Sequence, residues 1–125
     1  MKIRLIVFGE TNVKPVAEIL STYSNRIQHY FPFETIVLKA TNADEEGELL
    51  LKKIEPAALL ILLDEAGKEY TSVHFAEQLN KWINSGGKQL TFVIGGAYGF
   101  SAKIYEHANA KLSLSKMTMP HQLVR

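Results

Sequence analysis

The chain has 125 residues, the size of one ordinary domain. Its hydrophobic share of 46% is too high for disorder and sufficient to fill a core without cross-links. The absence of cysteine excludes disulfides, thiolate zinc sites and cysteine nucleophiles, and a formal charge of +1 lacks the basicity of many nucleic-acid modules.

The opening MKIRLIVFGE carries Arg4 inside a short apolar run and stops at Gly9. It reads as a strand over Lys2–Gly9, not as a signal peptide. From Val13 to about Gln28, the spacing of Val16, Ile19, Leu20, Tyr23 and Ile27 predicts a helix with one apolar stripe, and Pro15 suits its first turn. Thr35–Lys39 is a second strand. Asn42, with Glu45 three residues on, starts a helix to about Ile54 that Pro56 ends.

Ala57–Leu63 (AALLILL) is apolar throughout, as expected of a strand covered on both faces. It is far shorter than the roughly 20 residues of a membrane span. A helix over Ser72–Asn84 has Phe75, Leu79 and Trp82 as its inward stripe and ends at Ser85-Gly86-Gly87. Gln89–Ile94 is the fourth strand and runs into Gly95–Gly99. Ser101 caps a helix to about Ala108, and Lys111–Leu114 is a short fifth strand. The remainder is loop with the first turn of a helix.

Repeated strand–helix–strand units imply an α/β fold, a mostly parallel sheet with helices on both faces. Ligands in such sheets bind beyond the carboxyl ends of the strands. Three segments fall there: Asp64–Gly67, Gly95–Gly99 and Ser115–Pro120. The glycine loop after the fourth strand lets backbone approach a ligand closely, or simply makes a tight turn. It is neither G-x-G-x-x-G nor a phosphate loop, which disfavours a dinucleotide or nucleoside triphosphate. Asp64 and Glu65 suit a ribose or a proton, or a polar turn. His121 is a general base or a surface residue. His29, His74 and His107 lack metal-ligand spacing and read as surface. Phe75 and Trp82 read as core, and Lys52, Lys53, Lys81 and Lys88 as solvated faces. No serine-hydrolase elbow is present. The residues alone therefore specify a small-molecule site made from three loops and leave the ligand unnamed.

At these loops the sequence resembles the bacterial family of large-subunit ribosomal RNA pseudouridine N3-methyltransferases, SPOUT-type enzymes. The matching blocks are KIRLIVFG, LLDEAGKEYTS at Leu62–Ser72, FVIGGAYGFS at Phe92–Ser101 and KLSLSKMTMPHQLVR at Lys111–Arg125. They cover essentially the whole chain. The resemblance implies an α/β knot with a deep trefoil in the last third, a fold that periodicity alone would not suggest. It implies S-adenosylmethionine as cofactor, held by Leu63, Gly95, Gly96, Ser115, Lys116, Met117, Thr118, Met119 and Pro120. It implies no metal, no membrane, a cytoplasmic location, a homodimer, and as substrate ribosomal RNA in the assembled ribosome. Recognition of ribosome shape suits a nearly neutral domain. His121 and Arg125 are the candidate catalytic groups.

Two departures stand out. Ala97 occupies the place where the family loop usually has proline, and the family continues past L-V-R with a helix and a tail whereas this sequence stops at Arg125. The expectation is one domain over residues 1–125 without that helix and tail, with impaired methyl transfer. The alternative is a non-catalytic cofactor-binding or ribosome-associated module of the same fold.

Overall fold

The computed structural model of the chain describes residues 1–39, 42–95, 99–117 and 124. Its elements alternate in order: β1 (Lys2–Phe8), α1 (Lys14–Gln28), β2 (Phe33–Leu38), α2 (Ala43–Lys53), β3 (Ala58–Glu69), α3 (Ser72–Ile83), β4 (Gln89–Ile94), α4 (Ala102–His107) and β5 (Ala110–Ser113). The five strands form one sheet in the order β2-β1-β4-β3-β5, and every pairing is parallel.

The continuous apolar run of β3 is explained by burial on both faces. Leu60 and Leu62 pack with Ile6, Phe8, Val93, Leu50 of α2 and Ile104 of α4. Ile61 packs with Ile3, Leu90 and Leu112, against Phe75, Leu79 and Trp82 of α3. Tyr70, Phe75, Trp82 and Phe92 continue this second layer as a series of edge-to-face ring contacts. Phe75 and Trp82 are half-buried parts of that layer.

The β1→β2 and β3→β4 steps run in the same direction across the sheet, so the right-handed crossover rule puts α1 on the same side as α3. The apolar stripe of α1 is covered only in part. Val16, Leu20 and Ile27 are half-buried, whereas Ile19 and Tyr23 are 57% and 55% exposed.

Local chemistry sets the helix starts. Asn42 Oδ1 accepts the Glu45 N–H at 2.8 Å, and Thr71 Oγ1 accepts the His74 N–H at 3.1 Å. Ser101 stands at the N-cap of α4 in extended conformation, but its side chain makes no cap bond, contrary to expectation. The third strand is the larger correction. It does not end at Leu63 but continues to Glu69, because β5 pairs with it twice. Leu63 and Lys68 both lie opposite Leu112, and residues 64–67 bulge out between them.

The amino-terminal edge of the sheet is held by Arg4, which is 7% exposed. Its Nη1 donates to the Lys53 carbonyl (3.1 Å) and to Gln89 Oε1 (3.2 Å). Its Nε lies 3.0 Å from Glu34 Oε1, an ion pair whose angles fall short of a good hydrogen bond. Lys2 pairs with the same carboxylate at 3.1 Å. The Lys2 bond, with the charges of Lys2 and Arg4, outweighs burial and lowers the Glu34 pKa. A single guanidinium thus joins the starts of β2 and β4 to the carboxyl end of α2, where a positive charge is favoured.

Candidate functional site

The opposite, carboxyl-terminal edge carries the candidate site. β4, β3 and β5 are neighbours in the sheet. Leu63 lies beside Ile94 on one side and Leu112 on the other. Gly95, directly after Ile94, and the turn leaving β5 therefore emerge on strands about 5 Å to either side of Leu63. The sheet order puts Leu63, Gly95 and the turn with Ser115, Lys116 and Met117, five residues singled out in the sequence, on neighbouring strands or directly after them. Gly96, Thr118, Met119, Pro120, His121 and Arg125 lie outside the described residues.

The turn after β5 is braced by its own hydroxyls. Ser113 Oγ donates to the Ser115 carbonyl at 2.9 Å, and Ser115 Oγ accepts the Met117 N–H at 3.1 Å. This leaves Leu114 and Met117 56% and 76% exposed, an apolar surface next to polar backbone. Such a surface suits a flat heterocycle read along its edge. The Lys116 ammonium lies 3.9 Å from Glu69, an exposed pair that contributes little.

After Leu63, the 64–67 bulge is shaped by Asp64. Its Oδ1 accepts the Ala66 N–H at 2.9 Å, and its Oδ2 accepts the Tyr105 hydroxyl at 2.5 Å. Partial burial raises the Asp64 pKa, but these two bonds and the Lys111 charge outweigh it and lower the value. Tyr105 is pushed up to about 12, first by its bond to Asp64, then by burial and by the charges of Asp64 and Glu65. Asp64 is thus committed to holding the loop and is not a free base. Tyr105 was not apparent from the sequence, because its partner is 41 residues away.

A cleft of about 200 Å³ opens between the end of β3, the start of α3 and the end of β5, lined by Glu69, Tyr70, Thr71, Phe75, Leu112 and Leu114 among others. Neither Leu63 nor Gly95 lines it, and it is smaller than the roughly 300 Å³ at which ligand sites usually begin. The neighbouring carboxyl-terminal segments of β4, β3 and β5 are the better guide to the candidate site. Among the described residues no group of His, Asp and Glu could hold a metal ion, and no helix is long and apolar enough to cross a membrane. His29, His74 and His107 are exposed, as are Lys52, Lys53, Lys81 and Lys88.

A parallel α/β sheet whose motif residues lie towards the carboxyl-terminal side of three adjacent strands is the frame of many small-molecule-dependent enzymes and binding proteins. Comparison narrows the class. A family model described as "Predicted SPOUT methyltransferase" matches residues 1–125, and the chain belongs to that family. Curated relatives named "Ribosomal RNA large subunit methyltransferase H" align with all of this chain and 86% of their own length. They come from Parabacteroides distasonis (45% identical), Christiangramia forsetii (44%) and Flavobacterium psychrophilum (43%).

Proposed function

We propose that the chain is an S-adenosylmethionine-dependent methyltransferase that acts on N3 of a pseudouridine in large-subunit ribosomal RNA. The observation that carries this reading is the arrival of Leu63, Gly95 and the Ser115–Met117 turn at one edge of the sheet, in a chain whose family match spans its whole length. The names of the relatives supply the ribosomal substrate, and the motif resemblance supplies the N3 position.

In this reading Leu63, Met117 and Met119 are the apolar side chains for the adenine. Backbone groups of Gly95, Gly96 and the stretch Ser115, Lys116, Thr118 and Pro120 read its edge. When bound, the cofactor supplies a methyl group on a positively charged sulfur, ready for in-line displacement. The protein's part is to align the N3 atom behind that methyl and to exclude water, and alignment can supply much of the acceleration. The N3 proton has to leave; of the two candidate catalytic groups only the His121 imidazole could accept it, while Arg125, always protonated, could only stabilise negative charge. The reading includes one domain over residues 1–125, a trefoil knot in its last third, a homodimer and work on assembled ribosomes in the cytoplasm.

The test is incubation of the purified protein with ribosomes lacking the modification and radiolabelled S-adenosylmethionine, followed by nucleoside analysis. The expected product is 3-methylpseudouridine. Cofactor binding without transfer would favour the non-catalytic module, and absence of both would overturn the reading.

A further inference from the structure

Tyr105 lies on α4, outside the strand-end segments, yet its contacts reach two of the three site loops. Its hydroxyl donates to Asp64 in the 64–67 bulge that follows Leu63. Its ring meets Phe100 edge to face, with centroids 5.8 Å apart and planes 80° apart. Phe100 in turn covers Gly95: a Cβ placed on Gly95 would come within 3.2–3.5 Å of three Phe100 ring atoms. An unbroken series of contacts therefore runs from the 64–67 bulge through Asp64, Tyr105 and Phe100 to the backbone of Gly95.

We propose that Tyr105 is a positioning residue of the methyltransferase site, fixing the 64–67 bulge of β3 relative to the loop after β4 through Asp64 on one side and Phe100 on the other. The proposal rests on the reading of this edge as the cofactor site. Three further features support it. Asp64 uses its second oxygen on the Ala66 N–H, so a pull on Tyr105 is transmitted to the backbone of the bulge. Lys111 places its ammonium 5.6 Å from the Tyr105 ring centroid, which ties β5 to the same side chain. With its pKa near 12, Tyr105 stays a protonated donor at any ordinary pH. That suits a brace and does not suit a proton acceptor.

Tyr105 is 42% exposed, and Tyr105→Phe keeps the ring that packs on Phe100 and removes only the hydroxyl. Binding of S-adenosylmethionine should weaken about three- to tenfold, the range of an ordinary net hydrogen bond, since solvent screens this partly exposed one to a carboxylate. KM for the cofactor should rise with kcat nearly unchanged. Amide hydrogen exchange without ligand should quicken together at Ala66 and at Gly95 and Phe100, while cooperative melting is retained. Asp64→Asn, which keeps an oxygen able to accept from Tyr105, should fall between wild type and Tyr105→Phe. Unchanged cofactor affinity in Tyr105→Phe, or quickened exchange at Ala66 alone, overturns the proposal. Failure of the wild type to bind S-adenosylmethionine would sink the methyltransferase reading instead, and the exchange result would still decide whether Tyr105 couples the loops.

Discussion

Gly67 sits where β3 returns to β5 after its bulge, and there is no space there for a side chain. A Cβ would lie 2.7 Å from the Lys111 carbonyl carbon and 2.8 Å from both the Lys111 oxygen and the Leu112 nitrogen, all backbone atoms. Backbone cannot swing aside as a flexible side chain can, so Gly67→Ala must push β5 away. The expected cost is about 1–3 kcal/mol, read as a lowered denaturation midpoint; an unchanged midpoint would mean that the two strands do not meet there. The neighbouring Asp64–Tyr105 pair makes a pH prediction. Tyr105 has its pKa raised from 10.0 to about 12, so its contribution to stability is complete below pH 10 and is lost as pH climbs towards 12. Asp64 has its pKa lowered from 3.8, so its contribution is complete above that value and is lost as pH falls through the lower folded value. The stability gap between wild type and Tyr105→Phe should therefore be flat between these limits and close on either side. Urea denaturation across the pH range measures it, and a gap that changes near neutrality would contradict the pairing.

At the scale of elements, three helix starts that look alike in sequence should respond differently to alanine. Asn42→Ala and Thr71→Ala each remove a cap bond to a backbone N–H and should each cost about 1 kcal/mol. Ser101→Ala removes no such bond and should change stability by less than about 0.5 kcal/mol. Equal losses in all three would show that α4 is capped like the others. Legibility from sequence followed the same line between local and distant causes. β4 was readable to its last residue, because an apolar run stands between Gly87 and Gly95 and nothing distant alters it. The burial of Leu60, Ile61 and Leu62 was readable from the unbroken apolar stretch. The extension of β3 to Glu69 was not, since DEAGKE has no strand pattern and is held by pairing with β5. Arg4 looked like one polar break in a strand, and only the meeting of Glu34, Lys53 and Gln89 around it makes its burial tolerable. At the candidate site, Gly95 lay in a segment picked out by the strand-end rule and Leu63 came from the family resemblance, while Tyr105 required a contact between distant parts of the chain.

Across the whole molecule the two edges of the sheet hold different kinds of chemistry, and this separation can be tested. At the amino-terminal edge Arg4 is buried and bonded, and its partners join β1, β2, β4 and α2. At the carboxyl-terminal edge Met117 is exposed on a turn braced by Ser113 and Ser115, with little packing to lose. Arg4→Met keeps much of the side-chain bulk but leaves the Lys53 carbonyl and Gln89 Oε1 without their donor and Glu34 with Lys2 as its remaining cation. Removing one partner of a fully buried pair costs about 3–5 kcal/mol; with Glu34 half exposed to water, about 2–3 kcal/mol is expected. Because Arg4 lies two strands away from β3, level with Leu60 and so three residues before Leu63, and shares no partner with it, affinity for S-adenosylmethionine in the folded fraction should stay within about twofold, since distant and unshared sites act independently. Met117→Glu should do the reverse. It places a carboxylate on the surface proposed to take the adenine and should weaken cofactor binding at least about tenfold, as desolvating an unpaired charge requires. Its denaturation midpoint should barely move, because an exposed side chain has few contacts to give up. Urea unfolding and calorimetry on the same two variants give all four numbers. If Arg4→Met weakened binding as much as Met117→Glu did, the cofactor would be sensing the whole sheet and not the three strand ends at one edge.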